Sequence, residues 1–155
     1  MDKLEYLEQG KPFKNSISSK QLKLEHFKER LDNLHSTPFD REFTTGTRNI
    51  ESIQAQLVPE IMLLEEDIRA DNKLLEKFYQ QVREAASRLS DPLEQWLIEL
   101  AFIENLNWSQ IGRAVHRDRR SVKDWTMKAV EELKLPSNPV ILRRESFPPM
   151  YTNVQ

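Results

Sequence analysis

Apolar residues recur along this chain at helical spacing. The most regular run places Ile61, Ile68, Leu75, Val82 and Leu89 seven apart. Leu57, Leu64, Phe78 and Ala85 form a companion row that Asp71 interrupts. Such a pattern predicts a long amphipathic, coiled-coil-like helix over residues 50–89, whose seam needs another helix to cover it. Pro59 lies inside the run, so the helix either starts near it or bends there. Upstream, Leu24, Phe27, Leu31 and Leu34 define a second helix, capped by Ser18 or Ser19 and ending near His35. Before that, Asp2 to Gln9 predicts a short helix with Leu4 and Leu7 inward, stopped by Gly10 and Pro12. The seam is covered either by the helix from Ser19 to His35 or by a second copy of the chain. Leu57, Ile61, Leu64, Ile68, Leu75, Phe78 and Val82 are the candidate oligomer or partner interface. Asp71 then sets register, or marks where the seam splays. The plainer alternative is an ordinary amphipathic core helix.

Ser90-Asp91-Pro92 breaks the run and restarts it. Asp91 as cap, Pro92 in the first helical position and Glu94 in the third fit a capping box. The helix that follows is expected to reach about Asn105 and to bury Leu93, Trp96, Leu97, Leu100 and Ile103. Asn107 caps the next helix, with Gln110 three residues on completing a second box. There Ile111 and Val115 face inward, and Gly112 allows a neighbouring helix to approach closely. Val115-His116-Arg117 forms the turn and Asp118 caps the last helix. Its Val122, Thr126, Ala129, Val130 and Leu133 continue the buried face. The pattern is therefore all-α: an N-terminal helical arm (1–35), a loop (36–49), the long heptad-patterned helix (50–89), a tri-helical helix-turn-helix domain (90–135) and an extended tail (136–155).

Composition agrees with that reading. Only three glycines occur, and Leu, Glu, Lys, Gln and Arg favour helix. No alternating Val/Ile/Thr stretch bounded by turns predicts a strand. The absence of cysteine excludes disulfides and thiolate metal sites and suits a reducing compartment. No apolar run has the length of a membrane span, and MDKLEYLEQG lacks a signal-peptide core. A soluble, cytoplasmic protein with no membrane contact is expected. His26, His35 and His116 lie in separate segments without carboxylates at ligand spacing, and there is no phosphate-binding glycine loop or serine elbow. No metal, no cofactor and no enzymatic activity are expected.

Charge changes the picture more. The net formal charge is −2, but it is unevenly spread. Glu60 to Glu76 holds six acids against two bases, while Arg113 to Lys128 holds six bases against two acids. One part repels phosphate and the other attracts it. At the start of the last helix, Arg119, Arg120, Lys123 and Asp124 project outward, where a recognition helix reads base edges. Trp108, Ser109, Arg113, Arg117, Ser121 and Lys128 flank them as candidate contacts to the DNA backbone. A merely solvated basic face is the bland alternative. Trp96, Trp108 and Trp125 read as packing and rim residues.

Leu93 to Leu133 also resembles the C-terminal helix-turn-helix of sigma-factor region 4. Ile111-Gly112, Val115, Ser121-Val122, Ala129-Val130 and Leu133 follow that spacing without a gap. His116 stands where glycine is usual and Arg117 where an apolar residue is usual. The wider layout, with Glu5-Tyr6-Leu7, Gly46-Thr47-Arg48-Asn49 and Trp108-Ser109-Gln110-Ile111, resembles the phage-encoded ArpU/RinA-like late transcriptional regulators of Gram-positive bacteria. The resemblance implies a sequence-specific regulator that binds double-stranded DNA at a promoter-proximal site and activates phage or prophage late genes. It implies contact with host RNA polymerase, a homodimer or higher oligomer, and the cytoplasm of a bacterial host cell. Two rival readings stand beside it: a small terminase subunit that initiates DNA packaging, and a sigma-mimicking protein-binding module that inhibits polymerase or a regulator. In the tail, Val140-Ile141-Leu142 and Phe147-Pro148-Pro149-Met150-Tyr151 are patches for docking on the body or a partner, against plain disorder as the commoner fate of such a segment.

Overall fold

The structure, a computed structural model, describes residues 1–36 and 46–142. These form six helices and no strand: α1 (Lys3–Glu8), α2 (Gly10–Ser36), α3 (Gly46–Ser87), α4 (Pro92–Phe102), α5 (Trp108–Val115) and α6 (Arg119–Glu132). Among the described residues, no helix is long and apolar enough to cross a membrane. Most of the expected loop (37–45) and the tail beyond Leu142, including Phe147–Tyr151, lie outside the described residues. The chain divides into two compact units, residues 14–73 and residues 1–13 with 74 onward. The N-terminal arm expected over 1–35 is therefore split.

In the 14–73 unit, α2 and α3 run antiparallel, as the ion pairs Lys20–Asp71 (2.6 Å) and Lys28–Glu65 (3.2 Å) require. Leu57, Ile61, Leu64 and Ile68 are buried, and the apolar stripe of α2 (buried Ile17; partly buried Leu24, Phe27, Leu31 and Leu34) supplies the complementary face. Asp71 lies in the seam, held by Lys20 across the helix pair. Its charge is tolerated there because a partner of opposite sign comes from the same chain. The helix runs through Pro59 and does not start at it. The carbonyl that loses its donor is that of Ala55, an exposed residue, so water can satisfy it.

The candidate oligomer interface is corrected by this burial. Leu57, Ile61, Leu64, Ile68, Leu75, Phe78 and Val82 are each at most 9% exposed within one chain. Seam residues already removed from water offer no apolar area for a second copy to bury.

The second unit begins with α1. Asp2 caps it through a bond from the Glu5 N–H. Gln9 keeps helical dihedrals, φ −60° and ψ −32°, so the chain passes directly into α2. Gly10 and Pro12 open α2 where they were expected to stop a helix. Pro12 is its third residue, where the missing N–H had no intrahelical acceptor anyway. Gly10 is needed for packing: a Cβ there would lie 2.9 Å from Phe78 Cε2 and 3.4 Å from the Phe102 carbonyl. Beside it, Tyr6 is fully buried against Phe78, ring centroids 5.3 Å apart. Burial pushes the Tyr6 hydroxyl up to about 12.

Two glutamines tie distant segments to this core. The Tyr6 hydroxyl and the Val140 N–H both donate to Gln81 Oε1, and Gln81 Nε2 donates to the Asn138 carbonyl. Gln9 Nε2 donates to the carbonyls of Tyr6 and Val140, and Gln9 Oε1 accepts from the Leu142 N–H. Lys3 Nζ reaches the Glu131 carbonyl at 2.6 Å. The first part of the expected tail is thus docked, with Leu142 buried.

α4 packs against both α5 and α6. It buries Leu97, Ile98, Leu100 and Phe102, with Ile103 just beyond. Trp96, expected inside, is 44% exposed. Leu97 and Leu100 join Ile111 and Val122 in one cluster, while Ile98 and Phe102, four apart, form a second buried row. Trp96 falls outside both. The helix stops at Phe102, short of Asn105, which takes φ 58°. Asp91 caps α4 through the Leu93 N–H, with Pro92 at its first turn, but Glu94 completes no capping box. The neighbouring Glu132 carboxyl raises its pKa, with burial adding to the shift.

Candidate nucleic-acid interface

α5 and α6 are joined by three residues, His116 to Asp118, and the local chemistry explains the tightness of the turn. The Asn107 side chain accepts from the Gln110 N–H (2.8 Å), and the Gln110 side chain accepts from the Asn107 N–H (2.9 Å), closing the expected capping box. At the other end His116 takes the left-handed conformation, φ 57° and ψ 46°. Histidine is among the residues that enter this region more readily than most. The N–H groups of His116 and Arg117 both point to the Gly112 carbonyl, an ending of Schellman type.

Gly112 lets the turn and the start of α6 come close, the Arg119 nitrogen lying 3.6 Å from where a Cβ would be. A Cβ at Gly112 would lie 2.7 Å from the Arg117 carbonyl oxygen.

Asp118 occupies the N-cap of α6 with extended backbone but makes no side-chain cap bond. Its carboxyl lies below the usual range, chiefly because it is hydrogen-bonded to Ser121, with the nearby Arg120 charge a smaller cause. The inner side of α6 is fixed by Val122, Thr126, Ala129, Val130 and Leu133, all buried. The Thr126 hydroxyl donates back to the Val122 carbonyl at 2.8 Å, so this polar side chain is buried with its hydrogen bond made.

The outer side carries the candidates. Arg119, Arg120, Lys123 and Asp124 are exposed, as are Ser109, Arg113, Arg117 and Lys128, whereas Trp108 and Ser121 are partly buried. At 100° per residue, Arg119 and Lys123 form one row and Arg120 and Asp124 the next, farther from the core. Lys128 and Ser121 flank the opposite edge. A shallow depression is lined by Trp108, Asp118, Arg119, Arg120 and Lys123. Trp108 packs against the cluster of Leu97, Leu100, Ile111 and Val122, so the wall of the depression is anchored in the core.

Among the described residues, none of Arg113, Arg117, Arg119, Arg120, Lys123 and Lys128 forms a salt bridge with an acid of this chain. The six charges are available to an external anion. Sequence reasoning placed these residues on one surface; it did not identify Trp108 as the wall between α5 and α6, nor Gly112 as the pivot of the turn. The apolar-patterned position of Trp108 beside a cap was the available signal for the first. Nothing local signals the second, because the clash is with a backbone atom five residues on.

Compared with protein-family models, curated proteins and solved structures, the chain matches none.

Proposed function

We propose that this protein is a sequence-specific DNA-binding regulator that reads the major groove of double-stranded DNA with the outward face of α6. One observation carries the reading: Arg119, Arg120 and Lys123 stand exposed and free of ion pairs on the first turns of a helix whose opposite face is locked into a three-helix core. In this role Arg119, Arg120, Lys123 and Asp124 face base edges, Arg being suited to guanine and Asp to the cytosine amino group. Ser109, Arg113, Arg117, Ser121 and Lys128 contact phosphates on either side, with the N-terminus of α5 adding its amides. Activation of phage or prophage late genes, with contact to host RNA polymerase, extends the proposal on the strength of the resemblance to sigma region 4 and to ArpU/RinA-like regulators.

Genomic footprinting followed by binding measurements across salt concentrations tests it. Affinity should fall steeply with salt, as counterion release demands. Arg120→Ala should relax preference at one base position by about 1–3 kcal/mol, while Lys128→Ala should weaken binding uniformly. Unchanged binding by the Arg120→Ala/Lys123→Ala double variant would remove α6 from the reading role.

A further inference from the structure

The first half of α3 is apolar on two sides. Its seam side is covered within the 14–73 unit, but the opposite side is not. Met62 and Leu63 are each 63% exposed and Val58 is 42% exposed, with exposed Ala55 and Pro59 beside them. On a helical wheel these five residues share one broad face. A helix apolar on both sides expects contact on both, and a contiguous apolar patch on a protein surface marks an interaction site more often than a scattered residue does.

Charge decides what fits there. The exposed charged residues within one turn of Met62 and Leu63 are Glu60, Glu66 and Asp67, all acidic. Glu65, the other acid in this stretch, is paired with Lys28. A second copy pairing through this face would bring these three acids against three more, with Arg69 the nearest base of the helix beyond them. Nucleic acid and anionic lipid are repelled in the same way. A basic protein segment meets both the apolar centre and the acidic rim.

We propose that the outward face of α3 around Val58, Met62 and Leu63 is a docking surface for a partner protein's amphipathic helix, whose apolar anchors are flanked by lysine or arginine. The mode is helix on helix, with the apolar residues giving affinity and Glu60, Glu66 and Asp67 selecting the basic partner. This surface is separate in sequence from the candidate DNA interface, and its test does not depend on DNA.

The probe is a fluorescein-labelled 18-residue Leu/Lys amphipathic peptide, compared with its Leu/Glu counterpart by anisotropy on the full chain. The Leu/Lys peptide should bind at least tenfold more tightly than the Leu/Glu peptide. The Met62→Ser/Leu63→Ser variant should lose at least tenfold of that binding with an unchanged melting temperature. Glu66→Lys/Asp67→Lys should reverse the preference at this surface. Binding of the Leu/Lys peptide to Met62→Ser/Leu63→Ser within twofold of the parent would overturn the proposal. So would a parent chain that dimerises in light scattering and becomes monomeric in that variant, since the occupant would then be a second copy.

Discussion

The two units of this molecule are held together by different means. The 14–73 unit is a pair of long helices whose apolar rows repeat along one seam and whose ion pairs, Lys20–Asp71 and Lys28–Glu65, cross between them. The other unit is assembled from short helices and remote pieces. α4, α5 and α6 form a small core around Leu97, Leu100, Ile111 and Val122, and α1 and residues 138–142 are fastened through Tyr6, Gln9, Gln81 and Lys3. A repeating seam spreads stability over many equivalent contacts. The assembled core concentrates it in a few positions that have no equivalents, so single substitutions should weigh more there.

The largest effect is expected at Phe78, which is fully buried against Tyr6. Phe78→Ala should cost about 3–5 kcal/mol in chemical denaturation, the range for deleting a buried aromatic ring. Native-state hydrogen exchange should show α1 losing protection first. Protection of α1 that survives this substitution would show that the N-terminal segment does not depend on the aromatic pair.

Next in size is Gly112→Ala. The added Cβ meets the Arg117 carbonyl at 2.7 Å, and forcing the turn open should cost about 1–3 kcal/mol, the scale of overpacking. Because the clash lies between α5 and α6, the same variant should also lower affinity in a DNA-binding titration. A Gly112→Ala protein with parental stability and binding would mean that the turn has more freedom than its hydrogen bonds imply.

In the seam, Asp71→Asn should be milder. It keeps the shape but removes the charge facing Lys20, and a loss of about 1 kcal/mol is expected for a partly buried pair that stays near solvent. A loss as large as that at Phe78 would erase the contrast between the two units.

The smallest effect concerns Glu94 and Glu132. The raised pKa of Glu94 means that its protonated form is favoured in the folded state. The stability this contributes is present below the unfolded carboxyl pKa and is lost as pH rises through the higher folded value. Glu94→Gln should therefore stabilise at neutral pH by about 0.2–0.5 kcal/mol, the scale of a relieved like-charge pair, and the gain should vanish in acid. A melting temperature that responds identically to pH in both proteins would show that the two carboxyls do not interact.

Legibility differed between the units for the same physical reason. The heptad rows were readable because a helix pair repeats one contact every seven residues, so local sequence carries the whole pattern. The capping box of α5 and the buried face of α6 were readable too, since both are satisfied within a few residues. Trp96 escapes the apolar pattern because α4 packs on two sides, whereas its periodicity points to one. Gly10 and Pro12 read locally as a stop signal because their preference is to interrupt helices. In the folded chain Pro12 falls in a first turn that needs no donor, and Gly10 lies against Phe78 and the Phe102 carbonyl. The surface of candidate DNA contacts was visible as an uneven charge distribution, but the depression beside Trp108 required α5 and α6 to meet.

By itself the sequence determined that the chain is helical, where its apolar faces lie, and that its basic charge collects after the turn at His116. These are consequences of local preference and of periods shorter than two helical turns. Only the tertiary structure decided that the first half of the heptad seam, Leu57 to Ile68, faces the chain's own α2, that residues 1–13 join the C-terminal helices, and that Gly112 is the residue the turn cannot replace. Each of those depends on atoms far apart in the chain, or on a backbone oxygen, coming within a few ångströms of one another. No local pattern of apolar and polar residues encodes such an approach.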